Sequence, residues 1–257
     1  MAGAMCVLAL AWRTHPEWRL VAVGNRDELH SREALALARW EDAPGVIAGR
    51  DVMGGGTWLG VEERGRFAVV TNVRNPDGPD PAKLSRGALV TDMLTDGSGA
   101  ALTVRPEAYN PFSLIAVDGG HAHLMTNRPE ALVKPLAPGM HGLSNGVMDA
   151  PWPKTAKLER ALAGWIEAGS GDTGALFDVL ADETPPRGMV EGEDEAGERE
   201  PVASPIFIRN PVYGTRCSTV VTVDADGNGV IAERRFDGEG NATGETRIDF
   251  RWPEIAE

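Results

Sequence analysis

The sequence predicts an α+β fold in which antiparallel hairpins dominate and a few amphipathic helices cover them. Three observations carry that prediction. Short β-type runs recur in pairs around turn residues, helical periodicity is confined to three stretches, and the first two strands are apolar on both faces.

The runs VLALAW (7 to 12) and WRLVAVG (18 to 24) flank RTHPE, whose proline suits a turn, so they should form an antiparallel hairpin. Leu8, Leu10 and Trp12 alternate with Val7, Ala9 and Ala11, which is the pattern of a strand covered on two sides. A sheet buried between other layers follows. With Trp12 opposite Trp18, antiparallel register sets Cys6 opposite Gly24, to within a residue or two. Further hairpins are expected for TWLGVEE and RFAVVTN around Arg64-Gly65, and for FSLIAVD and HAHLMTN around Gly119-Gly120. Another should join CSTVVTVD to GVIAERRF around Asp226 to Gly229.

Helical periodicity marks LSRGALVTDML (84 to 94), KTAKLERALAGWIEA (154 to 168) and GALFDVLAD (174 to 182). The second of these has Pro151 and Pro153 at its entrance and Gly169 past its end, the asymmetry that bounds a helix. EGEDEAGERE (191 to 200) is acidic and glycine-containing, so 184 to 204 reads as a solvated acidic loop. Neither an internal repeat nor a clear linker divides the chain, and one domain over 1 to 257 is the expectation.

Hydrophobic content of 42%, charged content of 25% and the lack of a bilayer-length apolar run describe a globular chain with no membrane span. The formal charge of −13, with no Lys/Arg cluster to interrupt it, argues against a nucleic-acid partner. Two cysteines, Cys6 and Cys217, are too few for a disulfide framework, and the first residues do not read as a secretory signal. A cytoplasmic location is expected. His121 and His123 share a strand face without a third ligand, which argues against zinc, and GGGTWLG (54 to 60) lacks the Gly-Lys-Ser/Thr ending of a phosphate loop.

The chemistry converges on the first hairpin. Its register brings the thiol of Cys6 beside Asn25, Arg26, Asp27 and Glu28 at the tail of the second strand. If translation starts at Met5, or residues 1 to 5 are removed, Cys6 acquires a free α-amine with a reference pKa of about 7.7 to 8.0, suited to a general base. One residue then supplies both nucleophile and base, with Arg26 near the thiol and Asp27 near the amine. The alternative is a buried structural cysteine followed by a charged turn.

GNRDE (24 to 28), GGGTWLG, RFAVVTNVR (66 to 74), HGLSNGVMDAPWPK (141 to 154) and YGTRCSTVV (213 to 221) occur in this order over nearly the whole chain. Together they resemble the NRDE family, which includes the Transport and Golgi organisation protein 2 homologues. That family is similar to the N-terminal nucleophile hydrolases, and the resemblance implies a four-layer αββα sandwich with antiparallel sheets. It places Cys6 at the nucleophile position, Asn72 in the oxyanion hole, Asn145 as a second polar site residue and Arg216 as a late site arginine. One departure concerns Arg26 and Asp27, which are adjacent where those hydrolases separate their arginine and aspartate by two residues. Adjacent side chains of an unbroken strand face opposite ways, so both enter one pocket only if a turn or bulge intervenes.

Each of these residues also has a plainer reading. Asn72 can end a strand and start a turn, Asn145-Gly146 is a good turn dipeptide, and Arg216 can be paired structurally. By alternation, Cys217 should face away from Arg216 as an inert core thiol.

Two functions follow from the resemblance. The first is a cysteine N-terminal nucleophile amidohydrolase acting on a linear C–N amide of a small molecule, with no cofactor required. The second is a non-enzymatic carrier of haem, an acyl-CoA or another lipid-like ligand, a reading to which the seven tryptophans also lend themselves. A docking role for the acidic loop is a third reading.

Overall fold

The computed structural model describes residues 6–75, 78–101, 103–146, 148–149, 152–169, 171–185 and 204–254. In chain order the strands are β1 (Val7–His15), β2 (Trp18–Leu29), β3 (Ala34–Arg39), β4 (Val46–Asp51), β5 (Leu59–Glu62) and β6 (Arg66–Asn72). Helices α1 (Arg86–Asp96) and α2 (Ser98–Ala101) follow, then β7 (Phe112–Asp118), β8 (His121–Thr126), β9 (Leu132–Pro135) and β10 (Gly139–Leu143). The last part comprises α3 (Pro153–Ala168), α4 (Thr173–Leu180), β11 (Tyr213–Asp224), β12 (Asn228–Phe236) and β13 (Ala242–Arg251).

These strands form two antiparallel sheets, a six-stranded one in the order β10-β1-β2-β11-β12-β13 and a seven-stranded one running β3 to β9 in sequence order. Side-chain parity stacks them. Leu8, Leu10, Trp12, Leu20 and Ala22 of the first sheet meet Ile47, Leu59, Phe67 and Ile115 of the second in one buried cluster. The other face of β1 and β2, formed by Val7, Ala9, Ala11, Val21 and Val23, packs under Leu158, Leu162 and Trp165 of α3 and Phe177 of α4. Leu89, Val90, Met93 and Leu94 of α1 cover the outer face of the second sheet. The result is the four-layer αββα sandwich, and the doubly apolar first hairpin lies where its sequence placed it.

Local chemistry sets the helix ends. Pro153 occupies the first position of α3 behind Trp152, and Gly169 closes it in the left-handed region at φ +61°. Asp172 caps α4 by accepting from the Gly174 amide at 2.8 Å. Helix α3 lies so close to β10 that a Cβ on Gly142 would collide with the Thr155 side chain.

The structure refines the sequence-based expectations at the first hairpin and in the number of strands. The first hairpin continues through Arg13–His15, with an irregularity after Trp12 where Arg13 takes φ 49°, so Leu8 rather than Cys6 pairs with Gly24. Continuing that register sets Cys6 across from Arg26, within the two residues that the expected register allowed. Strands β3, β4, β9, β10 and β13 add to the meander. In β13 most side chains are exposed and charged or polar, so its apolar alternation is too sparse to read. Residues 1–5, and most of the acidic loop expected over 184 to 204, lie outside the described residues.

Candidate active site

Strand β2 stays regular through Asn25 to Glu28, and the corner therefore divides between two layers. Arg26 points between the sheets, where its Nη2 donates to Asp51 Oδ2 at 2.9 Å across on β4. Asp51 also accepts from Arg32 Nε at 2.5 Å and from the Gly54 amide at 2.7 Å. Asn25 and Asp27 point to the helix layer. The Asn25 amide donates to the carbonyls of Leu180 and Ile206 at 2.8 and 2.9 Å, and its oxygen accepts from Ser218 Oγ at 2.7 Å. Asp27 Oδ1 accepts from Thr215 Oγ1 at 2.6 Å, while Oδ2 is buried without a partner among the described residues.

Cys6 joins the two layers. Its thiol reaches the main-chain carbonyl of Asp27 at 3.8 Å, and its own carbonyl accepts from Ser144 Oγ at 2.7 Å. Beyond Ser144, the Asn145 amide donates to the main-chain carbonyl of Asn72 at 2.8 Å, and the Arg74 amide donates back to the Asn145 carbonyl. Fully buried Asn145 thus fastens the end of β10 to the end of β6, joining the two sheets beside Cys6. The half-buried Asn72 meets this chain through its backbone only.

Arg216 occupies a β-bulge. Thr215 pairs with Asp27 and Cys217 with Arg26, leaving Arg216 as the extra residue. The alternation expected for Arg216 and Cys217 is broken there, and both side chains line the same inter-sheet cavity, of about 100 Å³, together with Arg26 and Trp58. Arg216 Nη1 donates to the carbonyls of Leu29 and Arg32 at 2.8 and 2.7 Å. Gly24 lets the Trp58 ring approach, since a Cβ there would stand 3.3 Å from it.

Electrostatics differ on the two faces. Burial, followed by the Asp27 charge, pushes the Cys6 thiol up to about 12, and Arg26 opposes this only in part. Burial also raises the Asp27 carboxyl to about 7 against the pull of Lys154, Thr215 and Arg26. Lys154, 1% exposed in the first turn of α3, also donates to Ser204 Oγ at 3.3 Å. Arg86 at the start of α1 donates to the Pro111 carbonyl, and burial lowers its pKa while Cys6 and Glu28 work the other way.

Neither Lys154 nor Arg86 belongs to the site residues expected from the sequence. Lys154 stands in the PWPK block and Arg86 in the helical LSRGALV stretch. The signal for Lys154 was a lysine at the apolar entrance of an amphipathic helix. Among the described residues, no three His, Cys, Asp or Glu side chains converge in a way that could hold a metal ion, and no helix is long and apolar enough to cross a membrane.

Residues 5–238 match the family model for Transport and Golgi organisation 2. The chain belongs to this family. A Transport and Golgi organization protein 2 homolog from Homo sapiens is 32% identical over 90% of this chain and 92% of its own length. The Bos taurus homolog is 32% identical over 96% and 99%. The protein of the same name from Drosophila melanogaster is 25% identical over 86% and 89%. Among solved structures, the Caenorhabditis elegans N-acylethanolamine-hydrolyzing acid amidase ortholog aligns with TM-score 0.48 and 13% identity, covering 84% of this chain and 92% of that one. The Transport and Golgi organisation 2 match begins one residue before Cys6 and takes in every residue of the site described above.

Proposed function

We propose that this member of the Transport and Golgi organisation 2 family is a cysteine amidohydrolase that uses Cys6, at a freed N-terminus, to cleave a linear C–N amide. The observation that carries the reading is the placement of Cys6 at the head of β1, its thiol at the Asp27 carbonyl and its own carbonyl held by Ser144.

In the reaction, the Cys6 thiol proton passes to the α-amine as sulfur bonds to the substrate carbonyl carbon. Asn72 and a backbone N–H stabilise the resulting oxyanion, and Asn145 holds the Asn72 backbone in place. Collapse of the adduct breaks the C–N bond, and the ammonium returns the proton to the leaving amine. Water then hydrolyses the thioester, releasing the acid and restoring the thiol. Asp27, through its unpaired Oδ2, orients the amine, while Arg26 and Arg86 supply positive charge near the sulfur. Arg216 borders the site from the bulge.

The test is a panel of N-acyl amides incubated with the protein after its mature N-terminus has been fixed by intact mass. Amine release by the chain that starts at Cys6, with none from Cys6→Ala, is the expected result. Equal release by Cys6→Ala overturns the proposal. No release from any amide, together with saturable micromolar binding of haem or an acyl-CoA, puts the carrier reading in its place.

A further inference from the structure

A chain of formal charge −13 collects four arginines, Arg26, Arg50, Arg216 and Arg235, around the cavity between its sheets, against two lining carboxylates, Asp51 and Glu233. The local balance is the reverse of the global one. Asp51 is shared with Arg32, which does not line the cavity, and Arg50 is turned to Asp42, which takes both of its Nη2 contacts, at 2.7 and 2.8 Å. Arg216 donates from Nη1 to main-chain carbonyls, and its Nε is buried without a partner among the described residues. Arg26 is 8% exposed, and its Nη1 is likewise buried and unpaired there. Arg26 and Arg216 line the cavity with guanidiniums whose hydrogen-bonding capacity is not filled among the described residues, and a planar carboxylate fits the fork of such a pair.

Register fixes where this cavity stands relative to the thiol. Arg26 of β2 pairs with Cys217 of β11 and, by continuation of the β1–β2 register, lies across from Cys6 just ahead of β1; neighbouring strands are about 4.8 Å apart, so the lining begins about 5–10 Å from Cys6. Resting on the amidohydrolase reading, we propose that the cavity is an anion subsite that binds the carboxylate of the amide substrate, and that the substrate class is the N-acyl amino acids. The carboxylate engages Arg26 and Arg216 with Arg235 at the rim, and the scissile carbonyl reaches back to Cys6.

The binding half is tested without turnover. In the full-length Cys6→Ala protein, N-butanoylglycine is titrated calorimetrically against its neutral counterpart, N-butanoylglycinamide. The acid should bind at least about tenfold more tightly than the amide, and Arg235→Met in that background should remove about tenfold of its affinity, with Arg235→Lys losing less. Equal binding of acid and amide, or no binding of the acid, overturns the subsite whether or not the Arg235 variants fold. Displacement of the acid by micromolar inorganic phosphate overturns the carboxylate assignment in favour of a phosphate ligand. Tight acid binding with no hydrolysis by the chain starting at Cys6 leaves the subsite standing and removes the enzyme reading. Hydrolysis of neutral amides without preference for acids does the reverse.

Discussion

The thiol of Cys6 lies 3.8 Å from the main-chain carbonyl of Asp27, while the Asp27 carboxyl leaves on the opposite face of the same strand. The aspartate therefore meets the thiol through its backbone, while its side chain lies on the helix-layer face. In this setting the thiol sits at about 12, so its thiolate fraction at pH 8 is about one in ten thousand. Iodoacetamide should label Cys6, when preceded by residues 1 to 5, at least a hundredfold more slowly than free cysteine. Removing those residues should raise the rate. Peptide mass mapping after timed alkylation checks both; fast labelling of the longer chain would contradict the burial argument.

Asp27 titrates near neutrality because burial outweighs the cation at Lys154. Lys154→Met removes the largest opposing charge, so the Asp27 midpoint should rise above its value of about 7. A carboxyl carbon NMR titration reads this directly, and a midpoint that stays or falls would refute the coupling. A carboxyl raised from 3.8 to about 7 favours the fold most below pH 3.8, and that contribution is lost as pH rises towards 7. Relative to Asp27→Asn, the native chain should lose stability over that window.

Asn25 belongs to the motif yet spends its whole side chain on structure. Its three hydrogen bonds tie β2 to the end of α4, to Ile206 and to β11. Asn25→Ala leaves two buried carbonyls and a hydroxyl short of a partner, at a cost of about 2–4 kcal/mol. Urea denaturation should show it as a lower midpoint with an unchanged slope.

Much of the fold was readable because the apolar alternation in β1 and β2 is complete on both faces, and because turn residues separate the hairpins of β5 to β8 and β11 to β12. The bulge at Arg216 had no local signature, since GTRCS looks like any uncharged strand with one arginine, so its shared face with Cys217 could not be read. Lys154 and Arg86 reach the site through helix packing across layers, a long-range relation that spacing along the chain does not encode. The adjacency of Arg26 and Asp27 already implies that alternation separates them, and β2 sends one to each layer with no turn between them.

Gly24 precedes that pair and sets the spacing of the cavity wall. A Cβ there would stand 2.7 Å from the Val7 carbonyl oxygen and 3.0 Å from Leu8 Cδ1, besides the Trp58 ring. Gly24→Ala should cost about 1–3 kcal/mol through overpacking, because the nearest of the three obstacles is backbone. Adding Trp58→Phe should recover part of that loss if the ring is what must give, and none if the backbone of β1 is the barrier. Thermal midpoints of the two single variants and the double variant separate these outcomes.

Asp51 carries the arginine pair on the other side of the site. Burial works to raise its carboxyl, but the Arg32 hydrogen bond, the Gly54 amide and the charges of Arg32 and Arg26 hold it below 3.8. A depressed carboxyl stabilises the fold above its unfolded value, and the contribution is lost as pH falls through the folded one. Asp51→Asn should therefore destabilise the protein by about 2–4 kcal/mol at pH 7, where both guanidiniums lose their shared anion. The gap to the native chain should close as the pH drops below 3.8. Denaturant midpoints of both proteins across this range check it, and a gap independent of pH would mean that the carboxylate's charge contributes nothing beyond its shape.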